Sequence, residues 1–90
     1  MLNLRFTKNF DKDYKRIQKR GYKIQKLKDI VKMLRNCEQL PAKHFDHALS
    51  GKYAGYRECH IEPDWLLVYQ IKEDELLLIL TGTGTHSDLF

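Results

Sequence analysis

Four histidines, His44, His47, His60 and His86, all fall in the second half of this 90-residue sequence, and two carboxylates flank one of them: Glu58 and Asp64 around His60. Imidazole is the side chain whose ordinary pKa, about 6.5, suits proton transfer near neutrality. Nearby carboxylates can fix its tautomer or hold the imidazolium. No serine or cysteine sits in a nucleophile elbow. Such a set suits a substrate that carries its own nucleophile, and RNA does so in its 2′-hydroxyl. A base removes that proton, the oxygen attacks the adjacent phosphate, and an acid protonates the departing 5′-oxygen. Scattered surface histidines with no common task are the competing reading.

Two other chemistries are weaker. His44, His47, Cys59 and His60 offer zinc-compatible atoms, but their spacing matches no established ligand pattern. Cys59 and His60, as neighbours in a strand, also face opposite sides. No metal or cofactor is expected. The glycines of TGTGTH (81–86) lack the lysine that a phosphate loop requires. They read as a flexible turn that brings His86 and Phe90 to a site, with HSDLF either folding back over the sheet or fraying as a tail.

The elements that must position these residues follow from periodicity. Leu2, Leu4 and Phe6 alternate with polar residues, which predicts a short half-buried strand. Thr7 offers an N-cap to a helix ending near Arg20 and closed by Gly21. Its apolar stripe is Phe10, Tyr14 and Ile17. A second helix is expected over about Lys23 to Asn36, with Ile24, Leu27, Ile30, Val31 and Leu34 inward. Residues 37–55 show no sustained period and read as a surface loop. Strands are expected at about 54–61, 65–71 and 75–80, the last two apolar on both faces and so central. The fold class is α+β in the order β-α-α-β-β-β, a helical hairpin packed on one face of a small, mostly antiparallel sheet. Residues 1–90 read as one domain.

The stretch YRECHIEPDW (56–65) carries Arg57, Glu58, His60, Glu62 and Asp64 into the apolar LLVYQI, although unpaired charge is costly to bury. Strand parity resolves this. Cys59 and Ile61 face the helices, whereas Tyr56, Glu58 and His60 face away from them, with Asp64 at the turn beside them.

A hydrophobic fraction of 42% and a charged fraction of 31% exclude a disordered chain. The longest apolar run, LLLIL, is strand-sized, so no membrane segment is expected. The opening MLNLRFTKNF has no long apolar core and does not read as an export signal. Two cysteines, Cys37 and Cys59, fit a reducing cytoplasm and read as small buried hydrophobes. The net charge of +4 is divided: residues 1–43 carry 13 Lys/Arg against 4 Asp/Glu, and residues 44–90 carry 3 against 8. A basic half suits a polyanion or an acidic protein partner, and equally a pair of solvated helix faces.

DHALSGKYAGYRECHIEPDWLLVY, the ending GTHSDLF and the basic helical hairpin before them resemble the YafQ-type branch of the RelE toxins, small bacterial toxins of type II toxin–antitoxin systems. The resemblance spans essentially the whole chain in element order. It implies an endoribonuclease that cleaves messenger RNA in the ribosomal A site and leaves a 2′,3′-cyclic phosphate. It places catalytic groups at His47, Glu58, His60, Asp64, His86 and Phe90. His86 is then the general acid and His47 or His60 the base, with Glu58 and Asp64 orienting them. Phe90 would stack on a splayed base. Glu58 stands where relatives often carry aspartate, so its carboxylate reaches about one methylene further. Gly82 stands where many relatives carry an arginine that steadies the phosphate charge, and Arg57 or Lys52 is the expected substitute.

The resemblance also gives the basic hairpin a role. Lys12, Lys15, Lys19, Lys23 and Lys26 would bind ribosomal RNA phosphates in a salt-dependent way. The same surface would attract a cognate acidic antitoxin that folds on binding. Two readings from other classes stand beside this one. One is a gyrase-inhibiting member of the same wider fold, which needs no acid–base pair. The other is an RNA- or antitoxin-binding module whose catalysis has decayed.

Overall fold

Alternation of Leu2 and Leu4 with polar neighbours builds strand β1 (Asn3–Phe6) in the computed structural model, which describes residues 1–90. Thr7 then takes an extended backbone and its hydroxyl accepts the Phe10 amide, capping helix α1 (Lys8–Lys19). Gly21, at φ +78°, turns the chain into helix α2 (Ile24–Arg35). Strands β2 (His47–Ala48), β3 (Arg57–Glu62), β4 (Trp65–Lys72) and β5 (Leu77–Gly84) follow, and a helical turn α3 (His86–Leu89) ends the chain.

The five strands lie in the order β1-β5-β4-β3-β2. β1 runs parallel to β5, and every other pair is antiparallel. The architecture is thus the α+β arrangement expected, with β4 and β5 central. Phe10 and Ile17 of α1 and Leu27, Ile30 and Leu34 of α2 cover one sheet face. They bury Cys59, Ile61, Trp65, Leu67, Tyr69, Leu78 and Leu80. Trp65 is anchored twice: its ring meets Tyr22 edge-on, and its indole N–H donates to the Thr83 hydroxyl at 2.8 Å.

Several local expectations are corrected. The loop 37–55 holds a short edge strand, β2, whose two residues are too few to show a period. The strand expected from residue 54 begins at Arg57. TGTG is not a flexible turn: Thr81–Gly84 is the second half of β5, with Gly82, Thr83 and Gly84 buried. Its edge has no β1 partner after Leu80, yet it is paired. Thr7 and Asn9 side chains donate to the Thr81 carbonyl, and Asp13 accepts the Thr83 amide. Helix α1 continues where β1 stops. The terminus does not fray: Thr85 and Asp88 form a capping box, and the ordered turn folds back so that Leu89 and Phe90 lie beside Val68 and Gly82. Cys37 is exposed, at φ +58°, contrary to the burial expected of both cysteines. Cys59 is fully buried, and desolvation pushes its thiol up to about 12, so it stays neutral and inert.

Candidate active site

Strand register gathers the candidate groups on the sheet face away from the α1–α2 hairpin. His47 of β2 stands opposite Glu58 of β3, Glu58 opposite Val68 of β4, and Val68 opposite Gly82 of β5. The next row is His60, Leu66 and Gly84. With neighbouring strands about 4.8 Å apart, the β3 wall lies roughly 10 Å from β5, across a floor of Leu66 and Val68. His86 and Phe90 follow β5 directly. A phosphodiester fits between two walls at that spacing.

Each histidine in the β2–β3 wall has its tautomer set by a carbonyl, which can only accept. His47 Nδ1 donates to the Phe45 carbonyl at 2.6 Å, leaving Nε2 free and exposed. His60 Nδ1 donates to the Pro63 carbonyl at 3.2 Å, leaving Nε2 at 3.7 Å from Glu58 Oε1. A proton taken up on that nitrogen lands beside the Glu58 carboxylate, whose side chain is only 8% exposed. The Phe45 ring packs edge-on against His60 at 5.8 Å between centroids. Phe45 escapes sequence reasoning because its contribution comes from a left-handed backbone, φ +44°, which a phenylalanine rarely adopts.

Asp64 is not placed against a histidine in this structure. It is exposed at the β3–β4 turn, with no hydrogen bond or ion pair to any histidine, and the Pro63 carbonyl orients His60. The irregular register between His60 and Glu62 bends the chain so that a backbone oxygen, not the carboxylate, faces the ring. His44 is structural: its Nδ1 donates to the His60 carbonyl at 2.7 Å and ties the preceding loop to β3. No three His, Cys, Asp or Glu side chains are grouped so that they could hold one metal ion.

Where the C-terminal turn meets the β2–β3 connection, the cleft is aromatic and cationic. The His86 and Phe90 rings lie 5.2 Å apart, and Phe90 meets Tyr53 edge-on at 5.1 Å. Lys52 Nζ sits 5.4 Å above the Tyr53 ring. A cavity of about 250 Å³ opens among Lys52, Tyr53, Tyr56, Val68, Gly82 and Phe90. Of the two cations expected to replace the arginine missing at Gly82, Lys52 borders this cavity and Arg57 does not. Arg57 has the parity of Cys59 and Ile61, and its guanidinium donates to Asp46 at 3.3 Å. Asp46 in turn accepts the Tyr69 hydroxyl. Burial, and then Asp46, push that phenol above its ordinary range. Lys12, Lys15 and Lys19 are exposed on one side of α1, as expected. Lys23 precedes α2, and Lys26 pairs with Glu62 at 3.0 Å on the surface, a contact of small energetic weight.

Sequence reasoning passed over Asp13, Arg16, Arg20 and Asp88. Asp88 accepts both ends of the Arg20 guanidinium, at 2.6 and 3.1 Å, and the Thr85 amide at 2.9 Å. Arg20 first, then Thr85, hold its carboxyl well below the usual range. Since the folded form is the more acidic, its stabilising contribution is complete above the ordinary carboxylate pKa of about 3.9 and is lost as pH falls below it. The C-terminal turn is therefore expected to stay docked throughout the range in which imidazoles titrate. Amide chemical shifts of Thr85–Phe90 followed from pH 8 to 3 check this. Undocking above pH 5 contradicts it.

Residues 2–90 match the family described as "Bacterial toxin of type II toxin-antitoxin system, YafQ". The mRNA interferase toxin YafQ of Escherichia coli K12 is 40% identical over 89 residues, which cover 98% of this chain and 95% of the relative. Among solved structures, a metal-bound toxin from Helicobacter pylori superposes with a TM-score of 0.94 at 44% identity, over the full length of both chains. The toxin chain of the E. coli DinJ-YafQ toxin-antitoxin complex matches with a TM-score of 0.88 at 41% identity, covering 99% of this chain and 97% of that one.

Proposed function

This chain belongs to the YafQ family of bacterial type II toxin–antitoxin toxins, and from that premise we propose that it cleaves messenger RNA by metal-independent acid–base catalysis, in the ribosomal A site. The observation that carries the reading is the pair of facing walls: His47, Glu58 and His60 across β4 from His86 and Phe90. In-line attack of a 2′-hydroxyl needs a base on one side of the phosphorus and an acid on the other. His60 Nε2 takes the 2′-hydroxyl proton, with Glu58 beside it to hold the imidazolium, and His47 supports the same wall. His86 protonates the 5′-oxygen as it departs, which leaves a 2′,3′-cyclic phosphate. Phe90 and Tyr53 offer apolar faces to a splayed base. The exposed lysines of α1 and α2 bind RNA phosphates. An acidic cognate antitoxin silences the toxin, in keeping with the antitoxin complex solved for the E. coli relative.

Cleavage of a defined mRNA in EDTA, with and without ribosomes, tests the reading. Cutting that survives the chelator and leaves cyclic phosphate ends supports it. Cutting only with an added divalent metal sinks the metal-independent mechanism.

Lys52 is the phosphate-facing cation in this scheme, in place of the arginine that Gly82 does not provide. Lys52→Ala is expected to slow cleavage by about 10²-fold, the usual effect of removing one donor to a developing anion. Arg57→Ala is expected to leave the cleavage step unchanged and to lower stability through the unpaired Asp46. Single-turnover rates and urea titrations of both variants check the assignment, and the reverse pattern would return the role to Arg57.

A further inference from the structure

Helix α3 has four residues, and an isolated helix of that length does not form in water. It is held by a polar stripe on α1, beside the apolar one. Asn9, Asp13, Arg16 and Arg20 follow at helical spacings of three and four, so they line one side of the helix. Asn9 Nδ2 donates to the Thr81 carbonyl at 3.2 Å. Asp13, 3% exposed, accepts the Thr83 amide at 3.1 Å. Arg16 Nη1 lies 3.3 Å from Asp13 Oδ1 and 3.7 Å from Asp88 Oδ1. Arg20 closes the series with its two bonds to Asp88. The stripe thus leads from mid-β5 to the residue that caps the turn carrying His86.

The glycines of β5 make room for it. A Cβ on Gly84 would lie 2.7 Å from Asp88 Oδ2, and its φ of +147° disfavours any other residue. A Cβ on Gly82 would lie 3.1 Å from both Asp13 Oδ2 and Leu89 Cδ2. The TGTG segment therefore lets α1 and α3 close together.

We infer that Arg20, assisted by Arg16, is a positioning residue for His86: acting through Asp88, it fixes the short turn that presents the general acid and Phe90 to the cleft. The inference rests on the role proposed for His86. Arg20 is committed to Asp88, and Arg16 lies beside Asp13 and Asp88 at ion-pair distance with no hydrogen bond from its Nη1, so both stand apart from the phosphate-binding lysines. The two parallel bonds of Arg20 set an orientation as well as a distance, which a lysine's point charge does not reproduce.

The test uses the full chain with Arg20→Met and Arg20→Lys, and measures single-turnover cleavage on programmed ribosomes at saturation. Arg20→Met is expected to lose about 10–100-fold in rate with KM little changed, the scale of a misplaced catalytic group. Arg20→Lys is expected to recover part of it. A substrate with sulfur in place of the scissile 5′-oxygen needs no acid, and it should restore Arg20→Met as fully as it restores His86→Ala. Amide resonances of Thr85–Phe90 should broaden in Arg20→Met while those of β3 hold. An unchanged rate, or a raised KM with unchanged rate, overturns the inference, the second by making Arg20 an RNA contact. Failure of the nuclease reading shows separately, as wild-type protein that does not cut. The amide spectra then still decide whether Arg20 orders the turn, and unaltered Thr85–Phe90 resonances in Arg20→Met overturn that as well.

Discussion

His86→Ala is expected to slow RNA cleavage by about 10²–10⁴-fold, the range that general acid catalysis supplies, without weakening the fold. The side chain is exposed and lies against the Phe90 ring, so its removal falls among surface substitutions that change stability by about 0.5 kcal/mol or less. His60→Ala is expected to lose a similar factor for a different reason: in the proposed mechanism it removes the group, held between Pro63 and Glu58, that takes the proton from the nucleophile. Rates on a sulfur-for-oxygen leaving group separate the two. A thiolate departs without protonation, so His86→Ala recovers on that substrate and His60→Ala does not. Recovery of His60→Ala alone would exchange the roles. Antitoxin binding measured on the same variants checks that the surface outside the cleft is intact.

Trp65→Ala is expected to be the most destabilising single change near the site. The indole is 2% exposed, packs edge-on against Tyr22 and donates to the Thr83 hydroxyl, which itself donates to the Leu66 carbonyl at 2.7 Å. Truncating a buried aromatic to alanine costs about 3–5 kcal/mol. Set against a total stability of about 5–15 kcal/mol, that leaves little margin. At about 4–8 °C per kcal/mol for a domain of this size, the Tm should fall by at least ~12 °C. Trp65→Phe keeps most of the buried area and leaves Thr83 its bond to Leu66, so it should lose well under half as much. Urea and thermal melts of the two variants check the ranking. Equal losses would mean that the hydrogen bond, not the ring volume, carries the effect. Trp65 joins the start of β4 to the end of β5, so its loss also loosens the strand that leads to His86.

The sequence by itself determined the family resemblance and most of the frame. Periods of two and of three to four identify the strands and helices, and Thr7 and Gly21 mark helix ends by their own local conformations. Parity within one strand correctly divides Cys59 and Ile61 from Glu58 and His60, because a strand's alternation needs no partner to define it. Residue types alone state what can move a proton.

Only the tertiary structure decided the remainder. A strand as short as β2, or as glycine-rich as the end of β5, has no signal of its own and exists because neighbours supply its hydrogen bonds: β3 in one case, β4 on one edge and side chains of α1 on the other in the second. Asp13 and Arg20 look like ordinary members of a charged helix until β5 and Asp88 are set against them. Lys52 and Arg57 are five positions apart and equally plausible in a string of letters, yet one borders the Phe90 cavity and the other pairs with Asp46 on the far side of β3. The division has one physical cause. Backbone propensity and side-chain chemistry are properties of a residue and its near neighbours. The pairing of a polar group is a property of whatever the fold brings within about 3 Å of it.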